Sequence, residues 1–221
     1  MTRPVLYVLA GVNGAGKSSV GGHLLEREGL TWFNPDTFAR ELMASTGCHQ
    51  ETANGCAWQE GMRRLEEAIA KGLNHVFETT LGGKSVTAKI LEAAKTHDVL
   101  IWFCGLSSPE LHIARVKARV AAGGHPIPEE KIRERYPNAQ LNLIKLMPHA
   151  ACIKVYDNSA EAAADGTVPD PVLVLDMENG QVITPAPDNL EALQRTPEWT
   201  KAIVEAALRC GRGSDSPPPG S

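Results

Sequence analysis

Val5-Leu6-Tyr7-Val8-Leu9-Ala10 runs directly into Gly11-Val12-Asn13-Gly14-Ala15-Gly16-Lys17-Ser18. A short apolar run bounded by glycine predicts a buried strand. The residues after it fit G-x-x-x-x-G-K-[ST], in which the backbone curls so that successive N–H groups point at one anion. A helix from Lys17 to about Glu28 follows and adds its positive end. Gly11, Asn13, Gly14, Ala15, Gly16, Lys17, Ser18 and Ser19 are therefore candidate binding residues for the phosphates of ATP. Lys17 is placed for the β- and γ-phosphates, and the Ser18 hydroxyl for Mg²⁺. A glycine turn that binds nothing is the competing reading, and the strand before and helix after it weigh against that.

Working outward, Thr31-Trp32-Phe33-Asn34 reads as a second strand that Pro35 and Asp36 stop, opening a helix. In an open parallel sheet ligands bind beyond the carboxyl ends of the strands, which puts Asp36 on the rim shared with the glycine loop. Asp36 reads equally as a helix-capping residue. The polar stretch from Thr46 to Asn54 reads as a loop. Trp58, Met62, Leu65 and Ile69 then recur at helical spacing and predict a core-facing helix that ends at Gly72. His75-Val76-Phe77-Glu78-Thr79-Thr80 is the third strand, and Glu78 stands where such a site keeps an acid for the water shell of Mg²⁺ or for substrate.

Ser85–Lys95, Val99–Cys104 and Ser108–Ala122 repeat helix, strand and helix, a βα alternation that predicts a parallel sheet with right-handed crossovers. Ser108 and Pro109 cap the last of these helices. Along it Leu111, Ala114 and Ala118 share one face, while His112, Arg115 and Arg119 form a stripe that faces either a triphosphate or solvent. Gly124-His125-Pro126-Ile127-Pro128 is a connector. A helix starts at Glu129, with Ile132, Tyr136, Leu143 and Leu146 on its buried side and Pro137 kinking or splitting it. With Arg133 and Arg135 it resembles a lid.

Cys152–Tyr156 is the fifth strand, and a small hairpin turns at Asn179-Gly180. Pro197–Leu208 is a terminal helix, and Gly211–Ser221 a disordered tail. The fold expected is α/β of the P-loop NTPase or kinase type. It has a central parallel sheet of about five strands, flanking helices, a helical lid, and a small C-terminal hairpin plus helix. One domain spans residues 1–209, with a core of 4–160 and an extension of 161–209, and residues 210–221 form the tail.

A chain of 221 residues buries a full core without staples. Its net charge of −4 offers no basic footprint, so nucleic acid is not an expected partner. The longest apolar runs are too short for a membrane span, and the N-terminus enters a strand directly; a cytoplasmic location is expected. Five cysteines make no disulfide framework. Cys48, His49 and Cys56 lack the paired spacing of a zinc site, which leaves them as loop and core residues.

Taken together and in order over residues 4–160, these motifs resemble the zeta-toxin family of P-loop kinases. The resemblance rests on Gly11–Ser18, Asn34-Pro35-Asp36, Phe77-Glu78-Thr79-Thr80-Leu81, Arg115–Val120, Gly123-Gly124-His125, Arg135-Tyr136 and Tyr156-Asp157-Asn158-Ser159. It implies an ATP- and Mg²⁺-dependent kinase of UDP-N-acetylglucosamine that phosphorylates the 3′-hydroxyl of the amino sugar. In that reading Asp36 is the base at the acceptor hydroxyl, Lys17 holds phosphate, and Arg119 senses it. Glu78, Thr80 and His125 line the substrate pocket, His125 reading equally as a structural hinge residue. It also allows for a small helical antitoxin that obstructs ATP binding. The founding members carry a second phosphate-binding arginine where this chain has His125, as do Gly-Gly-His chromosomal relatives. That change leaves the acceptor open, and Arg133 or Arg135 is placed to compensate.

Two other functions compete, a kinase of another small hydroxyl compound and a nucleotide-dependent switch acting on a protein. Against the switch, the chain lacks the Asn-Lys-x-Asp motif of GTPases and the aliphatic strand ending in Asp-Glu of AAA-type motors.

Overall fold

The computed structural model describes residues 2–17, 21, 33–161 and 169–213. β1 (Val5–Ala10), β2 (His75–Thr79), β3 (Asp98–Gly105) and β4 (Cys152–Asp157) are parallel, and β5 (Val172–Glu178) and β6 (Gln181–Thr184) continue the sheet antiparallel. The order across the sheet is β2-β1-β3-β4-β5-β6. The expected hairpin exists, with Asn179 and Gly180 at positive φ, but it is not a separate appendage. Pairing of Cys152 with Glu178 and Ile153 with Met177 makes it the edge of one six-stranded sheet. Of the expected second strand, Thr31 and Trp32 fall outside the described residues, and Phe33 makes a single parallel bridge to Phe77.

β1 has β2 on one side and β3 on the other, with Ala10 level with Thr79 and Phe103. The chain runs outward past β2 and then returns across β1, so the strand order reverses at the carboxyl end of β1. That reversal opens the crevice in which α/β sheets hold ligands. Alternation along β1 sends Leu6, Val8 and Ala10 to the main core, with Phe103, Ile153, Val155, Leu143 and Ile203, while Leu9 faces a smaller cluster with Val76 and Trp102. Lys17 and Gly21 are helical, and the rest of the expected first helix, including Ser18 and Ser19, lies outside the described residues.

α1 (Pro35–Thr46) ends at Gly47, and α2 (Gln50–Lys71) follows almost at once. The loop expected over 46–54 is therefore mostly helix. Ala53 and Ala57 are buried against Ala39 of α1, and this packing of small residues between two helices overrides the local polar signal. The same packing turns α2 away from its expected orientation. Met62 and Leu65 face the core as expected, but Trp58 is 54% exposed.

α3 (Lys84–Ala93) and α4 (Pro109–Ala121) match expectation in extent, with the Ser108 hydroxyl accepting from Leu111 N–H at 3.2 Å. On α4 the expected apolar face is corrected, because Ala114 and Ala118 are exposed and His112, Ile113 and Val116 are buried. α5 (Glu129–Leu146) passes through Pro137 as one helix, with Ile132, Ala139, Leu143 and Leu146 buried. After α6 (Leu190–Gln194), α7 (Lys201–Gly213) packs Ile203, Val204 and Ala207 into the core and runs past the expected start of the tail. Among the described residues no helix is long and apolar enough to cross a membrane.

Candidate active site

The glycine loop is held from behind by three residues that are distant in sequence. The Ala15 carbonyl accepts from Asn158 Nδ2 at 2.9 Å and from Cys104 Sγ at 2.9 Å. Burial pushes the Cys104 thiol up to about 12, so it keeps its proton and donates. The Asn13 carbonyl lies 2.9 Å from His112 Nδ1, and since a carbonyl only accepts, Nδ1 carries the hydrogen. Burial, with help from Lys17 and Arg115, pulls His112 down to about 4 against the opposing effect of that hydrogen bond. Gly16 is closely enclosed within the loop. Its φ is +87°, and a Cβ there would stand 2.4 Å from Asn158 Nδ2.

In front of the loop is a cavity of about 720 Å³. Lys17 Nζ donates to the Gly11 carbonyl at 2.9 Å and lies 3.6 Å from Glu78 Oε1. The other oxygen, Glu78 Oε2, is buried and accepts no hydrogen bond among the described residues. Asp36 occupies the first turn of α1, but the cap there is Asn34, whose Oδ1 accepts from the N–H groups of Asp36 and Thr37 at 2.9 and 3.1 Å. The Asp36 carboxylate is thereby left to the cavity. Arg119 Nη1 is 3.8 Å from its Oδ2 and His125 Nε2 is 3.7 Å from its Oδ1. Arg119 Nη2 also donates to the His125 carbonyl at 3.3 Å, tying the connector to α4. Its Nε is buried without an acceptor among the described residues.

The structure thus brings Asn13, Gly14, Gly16, Lys17, Asp36, Glu78, Thr80, Arg119 and His125 to one cavity wall. Gly11 and Ala15 sit behind that wall and act through their carbonyls. Of the two lid arginines, Arg135 points inward, donating from Nη1 to Asn13 Oδ1 at 2.7 Å, and burial lowers its pKa. Arg133 points away and pairs with Glu110 at 2.5 Å. His112, which the sequence sets on a basic stripe, is a neutral prop under the loop. Asn158 reads in the sequence only as part of a turn motif. Trp58 and Asn54, which read as core and loop, are both on the cavity wall.

The cradle suits a polyphosphate, since Lys17, Arg115, Arg119 and Arg135 surround it and at least one buried guanidinium nitrogen lacks an acceptor. The half-unpaired Glu78 carboxylate suits the water shell of a hard divalent cation.

Residues 6–138, more than half of the chain, match the family model AAA_33, described as an AAA domain. The chain belongs to that AAA domain family. A protein of Haemophilus influenzae, described as uncharacterized, is 26% identical over 145 residues, 62% of this chain and 100% of the relative. The crystal structure of AvrRxo1-ORF1:-ORF2 with ATP superposes with a TM-score of 0.61 at 16% identity, covering 90% of this chain and 64% of that one. The AAA domain chain therefore spans less than two thirds of that chain's length. The structure of the PezAT chromosomal toxin–antitoxin system of Streptococcus pneumoniae gives a TM-score of 0.56 at 16% identity, covering 96% of this chain and 87% of that one. At these identities the likeness is one of fold.

Proposed function

We propose that this AAA domain protein is an ATP-dependent kinase that transfers the γ-phosphate to a hydroxyl of a nucleotide-activated sugar resembling UDP-N-acetylglucosamine. The observation that carries the reading is the Asp36 carboxylate, released from capping duty by Asn34 and turned into the cavity that holds Lys17. Phosphoryl transfer needs charge neutralisation and in-line positioning more than covalent help. Lys17 and Arg119 neutralise the transferring group, Arg135 closes over it from α5, and Asp36 orients the attacking hydroxyl and takes its proton. Glu78, Thr80 and His125 position the acceptor. Glu78, with Ser18 as the expected ligand, would hold Mg²⁺, which would supply further neutralisation of phosphate charge.

The UDP-sugar acceptor is supported by the zeta-toxin resemblance of the motifs. The likeness to a toxin–antitoxin structure supports a small protein partner that would regulate the enzyme by covering this cavity.

The test is incubation with ATP, Mg²⁺ and a panel of UDP-sugars and small alcohols, with mass detection of an adduct one phosphate heavier. A phosphorylated UDP-N-acetylglucosamine is expected. An adduct on another alcohol would relocate the substrate, and hydrolysis of ATP with no adduct anywhere would sink the kinase reading. Asp36→Asn should cut turnover by about 10²–10⁴-fold while ATP affinity stays within about twofold.

A further inference from the structure

We infer that Trp58 is a stacking platform for a planar ring carried by the acceptor, at the end of the molecule remote from the reacting hydroxyl. A large aromatic side chain on a helix that packs on both α1 and the sheet is ordinarily buried, yet the Trp58 indole is 54% exposed. Its neighbours explain how it is held out. Ala57 beside it is buried against α1, and Gly61 sits one turn on, where even a Cβ would already stand 3.4 Å from the Phe33 ring and 3.5 Å from the Phe77 ring. The helix thus comes too close to its neighbours for an indole to fit between them, and Trp58 is left on the cavity wall with Phe77 and Asn54.

Its side of the cavity follows from its packing. α2 packs on α1 and on β2, the edge strand of the sheet, whereas α4, with Arg115 and Arg119, follows β3 on the opposite side of β1. The phosphate-binding loop lies between them. A donor nucleotide anchored on the loop and the α4 arginines leaves the α2 wall, beyond Asp36, to the acceptor. An exposed indole on that wall offers a π-face to any flat ring and is tolerant of its identity, which is how bases are held where no hydrogen-bond readout is built. Asn54, whose Oδ1 accepts from Gln50 at 2.9 Å, adds a carboxamide one turn earlier on the same wall. The acceptor class this selects is a hydroxyl compound with a nucleoside-like ring, as opposed to a bare sugar phosphate.

The inference rests on the phosphotransfer reading in taking the Asp36 side as the acceptor side. Its test is kept separate by measuring binding. The full chain, saturated with a non-hydrolysable ATP analogue and Mg²⁺, is titrated with UDP-N-acetylglucosamine and with N-acetylglucosamine 1-phosphate, which lacks the ring, in wild type, Trp58→Ala and Trp58→Phe. Wild type should prefer the ring-bearing compound by about 10- to 100-fold. Trp58→Ala should erase the preference and Trp58→Phe keep most of it. A preference that survives in folded Trp58→Ala, or equal or no binding of the two compounds by wild type, overturns the platform. If the preference depends on Trp58 but no phosphate is ever transferred, the platform stands and the kinase reading falls. If UDP-N-acetylglucosamine is phosphorylated and Trp58 makes no difference to its binding, the kinase reading stands and the platform falls.

Discussion

At the scale of single residues, His112 ties the chemistry of the cavity to the stability of the protein. It is 1% exposed, and its neutral ring donates to the Asn13 carbonyl while its edge meets the Tyr136 ring at 5.6 Å. Because its folded pKa lies near 4 and its unfolded value near 6.5, the unfolded chain takes up a proton that the folded one refuses between those limits. The contribution of His112 is whole above about pH 6.5 and is lost as pH falls toward 4, a change of about 3 kcal/mol if the full shift is expressed. Urea unfolding midpoints measured from pH 7 to pH 4.5 should fall more steeply for wild type than for His112→Gln. Parallel curves would show that His112 titrates normally. This residue also marks what local sequence could convey. Its helical spacing with Arg115 and Arg119 was legible, but its burial depends on where Asn13 lies, 99 residues away.

At the scale of elements, what was written locally was legible and what depended on partner choice was not. Apolar runs announced β1, β3 and β4, the Ser108-Pro109 cap announced α4, and Asn179-Gly180 announced the hairpin, because each signal sits within a few residues of its effect. The start of α2 and the exposure of Trp58 were not legible, since both follow from alanine packing between α1 and α2. Nor was the joining of the hairpin to β4, for nothing within β5 says which strand it will pair with. A further tertiary device lies at the end of β3. A Cβ on Gly105 would stand 2.2 Å from the ring of Trp199, which comes just before α7. Trp199 also stacks at 6.4 Å on Phe103. Gly105→Ala should therefore push the α7 region off the sheet and lower stability by about 1–3 kcal/mol, read as a drop in thermal midpoint. An unchanged midpoint would mean that α7 shifts at no cost.

At the scale of the whole molecule, the cavity is assembled from the loop after β1, the start of α1, α2, the end of β2, the start of α3, α4, the His125 connector and α5, and the sheet serves to bring these segments together. α5 is joined to the loop by the bond from Arg135 to Asn13 and is pressed against Gly82, whose Cβ would stand 2.6 Å from Arg135 Cγ. Arg135→Ala should weaken ATP binding more than it weakens the free protein. At saturation of about 100 times the dissociation constant, wild type gains about 2.7 kcal/mol of stability from the ligand, and at the same ATP concentration the variant should show a clearly smaller thermal shift. Equal shifts would remove Arg135 from the nucleotide site.

The props behind the loop also bear on the order in which the chain is made. The phosphate-binding sequence is complete once Ser18 has left the ribosome, yet the groups that shape it, Cys104, His112 and Asn158, come 89, 99 and 143 residues after the loop residues they hold. Since a domain folds as a unit when its long-range partners are present, a nascent chain shorter than about 160 residues carries the motif without the site. Nucleotide capture should thus be gained well after the first strand and glycine turn have emerged.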